Sequence, residues 1–300
     1  MISIIGSGRV GASIAFLCAS NSIDDILLVN RTKTKAVGEA LDISNAIPEN
    51  SDISIHGTDD YSKIVDSKIV VITASTGVYL TDRTEMIGSQ VKMIKEIASK
   101  IKQYCPDAIV LMVSNPLDVL TYFFQKESKF PRTRVIGIAS SLDTSRFRYF
   151  LSEKFDIKQS QISDAIVLGE HGNTMVPIFS HAKIDGNSSL ELLDLSQQQA
   201  ITKDVREYWK YLRNYKSRSQ FGIAKNTFDV IYSILKNKEL NIPASVLLEG
   251  EFSQTDVSMG VPVIIDKDGI SKIYEIELND SEKESLKKSA QTIRNYIKSV

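Results

Sequence analysis

Ile2-Ser3-Ile4-Ile5-Gly6-Ser7-Gly8-Arg9-Val10-Gly11 is the stretch on which the fold turns. A short apolar strand leads into G-x-G-x-x-G. Val10 to Ser20 then continues as small and apolar residues, with Ile14, Leu17 and Cys18 on one helical face. Small-residue loops are common, so the glycines alone are a weak signal; a strand before them and a helix after them give the pattern meaning. The first glycine permits the tight turn, the second lets a pyrophosphate approach the backbone, and the third lets helix and strand pack closely. The helix N-terminus adds its positive pole. Gly6, Gly8, Arg9, Val10 and Gly11 are therefore candidate dinucleotide-binding residues, joined by Thr73 and Ala74 at the end of a later strand.

Outward from this motif, Asp25 to Val29 reads as a second strand and ends at Asn30. A carboxylate in that position binds the adenosine ribose hydroxyls and repels a 2′-phosphate. Here the acid is absent and Arg31, Thr32, Lys33 and Lys35 follow. Asn30, Arg31, Thr32 and Lys35 thus make room for a 2′-phosphate, so the cofactor is expected to be NAD, NADP or both. A solvated basic surface turn is the alternative.

The first half goes on alternating. Ala36 to Ile47 has helical spacing and stops before Pro48. Ile53 to His56, Lys68 to Thr73, Asp107 to Val113 and Arg134 to Ile138 read as strands, and Glu85 to Ile101 as a long amphipathic helix. Continuous Val/Ile/Leu strands separated by helices imply a parallel sheet covered on both faces. The second half differs. A helix from about Asp143 to Lys154 precedes a strand at Ala165 to Leu168. The polar stretch Asp185 to Gln199 reads as an exposed connection. Helical pattern runs from about Ile201 to Lys236, anchored by Trp209, Leu212 and Phe228. Val261 to Ile265 and Ile270 to Ile276 form a hairpin pattern about Asp266-Lys267-Asp268-Gly269. A last helix carries Leu286, Ala290, Ile293 and Ile297, with Ser281-x-x-Glu284 as its capping box. The expected fold class is α/β: a Rossmann-type doubly wound parallel sheet over residues 1–140, followed by an α+β substrate or catalytic domain over 141–300.

Composition narrows the function. The chain has 300 residues, 42% of them apolar, and 36 basic against 37 acidic side chains give a net charge of -1. A near-neutral chain has no basic field for nucleic acid. No apolar run approaches the roughly 18 residues of a membrane span, and no secretory signal pattern opens the sequence. Cys18 and Cys105 sit in apolar stretches, as reduced thiols of a cytoplasmic protein do. No C-x-x-C or Cys/His cluster suggests a metal site.

Three further segments carry chemistry: Ser114-Asn115-Pro116-Leu117-Asp118, Ser141-Leu142-Asp143-Thr144-Ser145-Arg146-Phe147 and Gly169-Glu170-His171-Gly172-Asn173. With Gly38-Glu39-Ala40-Leu41-Asp42, Leu248-Glu249-Gly250-Glu251-Phe252 and Gly260-Val261-Pro262-Val263, they give the chain a resemblance to the lactate/malate dehydrogenase family over nearly its whole length. The resemblance implies reversible hydride transfer between NAD(P)H and a 2-keto acid, oxaloacetate first, in a homodimer or homotetramer. It places His171 as proton donor and acceptor and Asp143 as its partner. An unperturbed imidazole near pKa ~6.5 is only about a quarter protonated at pH 7, and a carboxylate raises that fraction. Arg146, three residues beyond Asp143, would hold the substrate carboxylate bidentately. Arg83 would polarise the carbonyl from a mobile loop. Asn115 would bond the reacting oxygen or the nicotinamide ribose. His56 and His181 match no motif and read as structural or surface.

The departures are specific. The family's loop carries Arg for malate-type or Gln for lactate-type selection, whereas Ser75 to Asp82 is about one residue shorter and has neither. Arg218, in Ser217-Arg218-Ser219-Gln220-Phe221-Gly222, lies where the family lines its substrate pocket and either supplies the missing charge or is a surface arginine; Ser219 shares that position. Asn173 replaces the family's Asp after His-Gly. A lactate or other 2-hydroxy acid dehydrogenase is the alternative enzyme, and a non-catalytic dinucleotide-binding protein the alternative of another class.

Overall fold

The structure is a computed structural model that describes residues 1–77 and 86–300. Apolar strands and amphipathic helices alternate through the first half: β1 (Ile2–Ile5), α1 (Arg9–Ser20), β2 (Ile26–Val29), α2 (Lys33–Ser44), β3 (Ile55–Thr58), β4 (Ile69–Ile72), α3 (Ile87–Tyr104), β5 (Ile109–Met112), α4 (Leu117–Ser128) and β6 (Val135–Gly137). The second half adds α5 (Ser140–Phe155), β7 (Ile162–Ser163), β8 (Val167–Leu168), β9 (Val176–Pro177), β10 (Lys183–Ile184), β11 (Asn187–Ser188) and α6 (Ser189–Leu192). It continues with α7 (Leu195–Arg213), α8 (Phe221–Lys236), β12 (Leu240–Glu249), β13 (Thr255–Asp266), β14 (Gly269–Ile273) and α9 (Asp280–Lys298).

The main sheet has nine strands in the order β14-β13-β12-β6-β5-β4-β1-β2-β3. The six strands of the first half pair in parallel, and their order reverses beside β1, where α/β sheets open a crevice at the strand ends. β1, β2, β4 and β5 are buried along their whole length, as a sheet covered on both faces requires.

The second half extends this same sheet. β12 joins β6 in antiparallel fashion through Ser245 opposite Gly137. A Cβ on Gly137 would lie 2.7 Å from the Ser245 Cβ and 2.8 Å from Thr121 Oγ1, so only glycine allows the approach. The sequence pattern did not mark β12 as a strand: it carries Pro243 in its interior, which ordinarily argues against one. Pro243 stands directly opposite Pro262 of β13, whose carbonyl accepts from Tyr274 N on the far side, so this is a pair that exchanges no hydrogen bonds and the missing N–H donors cost the β12–β13 ladder nothing. The main hydrophobic core is correspondingly continuous from Ile2 to Ile293, with a smaller core of Phe147, Leu151, Met175, Phe179 and Val205 under α5 and α7.

Four expectations are corrected. The polar stretch 185–199 is structured, because its polar residues cap helices: Ser188 accepts from Leu190 N, and Asp194 and Gln197 form a capping box. The helical pattern 201–236 is two helices, broken over 214–220. The hairpin strands are shifted, one starting at Thr255 and the other ending at Ile273. The box of α9 is Asn279 with Glu282, not Ser281 with Glu284; Asn279 Oδ1 accepts from Glu282 N at 2.9 Å. Both spacings satisfy the same pattern, and Glu282 is the acid buried by bonds from Ser180 N and Oγ. Among the described residues no helix is long and apolar enough to cross a membrane.

Phe124 of α4 is fully buried in the main core and meets Phe130 edge-on, with ring centroids 6.1 Å apart. Phe124→Ala is expected to lower stability by about 3–5 kcal/mol, read as a fall in the urea midpoint at constant m.

Candidate active site

The crevice at the strand ends is a cavity of about 1110 Å³. The glycine loop forms one end of it. Gly6 has φ +107, and a Cβ there would come within 2.8 Å of Ala74 N; a Cβ on Gly11 would lie 2.0 Å from Gly6 O. These two positions are closed by the chain itself. At Gly8 a Cβ would meet nothing within 4 Å, so the loop is open on the cavity side, where the first N–H groups of α1 lack upstream carbonyls. The first turn of α1 holds no acid. This cradle fits a dinucleotide pyrophosphate. Thr73 supports the loop by donating from Oγ1 to Gly6 O at 2.7 Å, and Ser114 Oγ donates to Ala74 O at 2.6 Å.

The wall also carries Arg9, Val10, Asn30, Arg31, Thr32 and Lys35, Thr73 and Ala74, and Asn115, Arg146, His171, Arg218 and Ser219. The fold therefore brings sixteen of the eighteen candidate residues to one cavity wall. Asp143 lies just behind the wall, and Arg83 lies outside the described residues. Thr76, Lys92, Glu96 and Arg213 also line the cavity without having carried a signal in the sequence, as do Trp209, expected only to anchor a helix, and Ser217, beside Arg218.

The chemistry centres on α5 and the segment after β8. Asp143 sits in the first turn of α5 and is 1% exposed. Its Oδ2 lies 2.6 Å from His171 Nδ1, and its Oδ1 accepts from Arg146 Nη1 at 3.1 Å. Arg146 also donates from Nη2 to Ser219 Oγ at 3.0 Å, and its guanidinium lies over the Tyr208 ring at 4.9 Å. Arg146 Nε and Asn115 Oδ1 are buried with no hydrogen-bond partner among the described residues. Two orphaned polar atoms on a cavity wall mark where a polar ligand completes the site.

The segment 214–220 is tied to the glycine loop. Arg9 Nη1 donates to Ser217 Oγ at 2.5 Å, and Gln220 Nε2 donates to Ser13 Oγ at 2.8 Å. The break between α7 and α8 thus positions Arg218 and Ser219 over the cavity. His56 is exposed on β3, and His181 Nε2 bonds Glu277 O at 2.8 Å; neither lines the cavity.

Asp118 is the site residue that sequence reasoning missed. It closes the segment Ser114-Asn115-Pro116-Leu117-Asp118, yet its role needs contacts that no local pattern shows. In α4 it is 3% exposed. Its Oδ2 accepts from the His171 backbone N–H and its Oδ1 from Ser245 Oγ, both at 2.7 Å. Burial pushes its carboxyl up to about 7, against the lowering effect of those two hydrogen bonds.

Residues 1–137 match the lactate/malate dehydrogenase NAD binding domain, and residues 140–300 match the alpha/beta C-terminal domain of the same family. The chain belongs to the lactate/malate dehydrogenase family. It is an NAD-binding oxidoreductase of α/β fold, with the glycine loop in its NAD binding part. It is 36% identical over 305 residues to a malate dehydrogenase of Bacillus mycoides (strain KBAB4), covering 99% of this chain and 97% of that one. Among solved structures, the malate dehydrogenase of Aeropyrum pernix superposes with a TM-score of 0.93 at 31% identity, covering 100% and 98%. The lactate dehydrogenase of Cryptosporidium parvum, complexed with lactic acid and nicotinamide adenine dinucleotide, superposes with a TM-score of 0.94 at 32% identity, covering 99% and 96%.

Because the Asp118 carboxyl titrates higher in the folded state than the usual ~4, the unfolded chain releases this proton first as pH rises. Stability from this group is present below about pH 4 and is lost as pH rises towards 7. Asp118→Asn removes that dependence. Denaturation at pH 5 and pH 8 is expected to show the variant gaining on the parent at the higher pH.

Proposed function

We propose that this chain is a malate dehydrogenase, interconverting oxaloacetate and malate, with His171 exchanging the proton. The observation that carries this reading is the buried Asp143–His171–Arg146 cluster at the wall of the cavity that holds the glycine loop. The nicotinamide dinucleotide, when bound, supplies or accepts the hydride; Gly6, Gly8, Val10 and Gly11 hold its pyrophosphate. Asp143 fixes the imidazole through Nδ1 and favours its protonated form, so Nε2 gives the proton to the developing alkoxide or takes it from the hydroxyl. Arg146 receives the substrate carboxylate, with Nε as the donor still to be satisfied. Asn115 bonds the reacting oxygen or the nicotinamide ribose, and Arg83 polarises the carbonyl. Arg218 meets the second carboxylate of oxaloacetate, the partner that Ser75 to Asp82 does not supply.

Residues 1–140 serve as the dinucleotide-binding domain and 141–300 as the substrate domain. The enzyme is a cytoplasmic homodimer or homotetramer. Its two buried free thiols suit a reducing compartment, and the exposed Phe16 and Leu41 on α1 and α2 suit a subunit contact.

The test is loss of absorbance at 340 nm with NADH and either oxaloacetate or pyruvate. Faster turnover of oxaloacetate is expected. Faster turnover of pyruvate would favour a lactate-type enzyme, the second reading, which the missing loop selector keeps in play. His171→Asn is expected to lower kcat by about 10²–10⁴-fold while NADH still binds in a calorimetric titration. Arg218→Ala is expected to raise KM for oxaloacetate at least about tenfold, the worth of one charge-assisted hydrogen bond, and to spare pyruvate reduction. Equal losses on both substrates would make Arg218 structural.

A further inference from the structure

β2 ends at Asn30, where the dinucleotide-binding fold ordinarily sets a carboxylate against the adenosine ribose. The Asn30 amide is committed to the protein. Its nitrogen donates to Ser7 Oγ at 2.9 Å, and its oxygen accepts from Thr32 N at 3.0 Å. These bonds tie the glycine loop to the turn between β2 and α2 and hold Arg31, Thr32 and Lys35 on the cavity wall.

Arg31 and Lys35 are exposed there, and neither forms an ion pair among the described residues. Lys33, in the same turn, acts instead on Asp60 and is not on the wall. Farther along the wall are Lys92 and Lys100, with one acid, Glu96, between them. The adenosine end of the cavity therefore has lost the group that repels an anion and holds an excess of groups that attract one.

We propose that this turn is a 2′-phosphate subsite, through which the chain binds NADP(H) at least as well as NAD(H). The inference rests on the reading of the chain as a nicotinamide-dependent dehydrogenase. A phosphate monoester carries close to two negative charges and three acceptor oxygens. The planar Arg31 guanidinium meets two of those oxygens, Thr32 offers a hydroxyl and Lys35 a point charge. The site is exposed, so salt screens the gain, and the expected preference is about tenfold rather than several hundredfold.

The experiment is calorimetric titration of the full chain with adenosine 2′,5′-bisphosphate and with 5′-AMP, which differ only in the 2′-phosphate, and with NADH as reference. The bisphosphate is expected to bind about tenfold tighter than 5′-AMP, and this advantage to shrink with added salt. Arg31→Ala should remove most of the advantage and leave 5′-AMP binding within about twofold. Asn30→Asp should reverse the order of the two nucleotides. Equal or tighter binding of 5′-AMP by the parent chain overturns the proposal, as does an Arg31→Ala variant that weakens both nucleotides alike. If NADH binds and the bisphosphate has no advantage, only the phosphate subsite falls; if NADH does not bind either, the dinucleotide reading falls with it.

Discussion

One carboxylate organises the chemistry of this molecule. Asp143 is 1% exposed and accepts from both His171 and Arg146. A charge buried this deeply is costly unless it is fully paired, and here both partners reach the cavity wall. The same bonds that compensate the carboxylate turn the imidazole to one nitrogen and fix the guanidinium within α5. A buried ion cluster of this kind is weak support for stability and strong support for a preorganised site. Asp118 repeats the device one layer out. It holds the His171 backbone from α4 and is itself held by Ser245 of β12, so His171 is anchored by elements from both halves of the chain.

What could be read from the sequence was what is local. The glycine loop, the apolar strands and the Asp143/Arg146 spacing each lie within a few residues, and each is visible as a pattern. The three chemical segments were legible as a set because their motifs resemble one family's in order. The rest depends on distant neighbours. Ser245 reaches Asp118 across 127 positions, and Pro243 fits β12 because its pair with Pro262 exchanges no hydrogen bonds. The break at 214–220 is held by contacts to Arg9 and Ser13, far away in α1. At α9 and over 185–199 the signal was present but ambiguous. Ser, Asn, Asp and Gln favour both loops and helix caps, and packing decides which.

The turn after β2 shows how one side chain can serve the fold and recognition together. An acid there would bind ribose and could not donate to Ser7. The Asn30 amide donates, so the glycine loop is braced from the turn that carries Arg31 and Lys35. Rigidity in the loop and openness at its neighbour are two outcomes of the same substitution of nitrogen for oxygen.

The antiparallel joint between β6 and β12 has a consequence for how the chain behaves as a material body. A sheet that runs unbroken through both halves leaves no flexible seam about which one half can swing on the other. Backbone amides on either side of the joint should therefore exchange with solvent together. Separating the two halves near residue 138 would bare the short edge of β6 and the ten-residue edge of β12, the latter a template for pairing with another chain. The severed pieces would be expected to aggregate rather than persist as two small folded proteins.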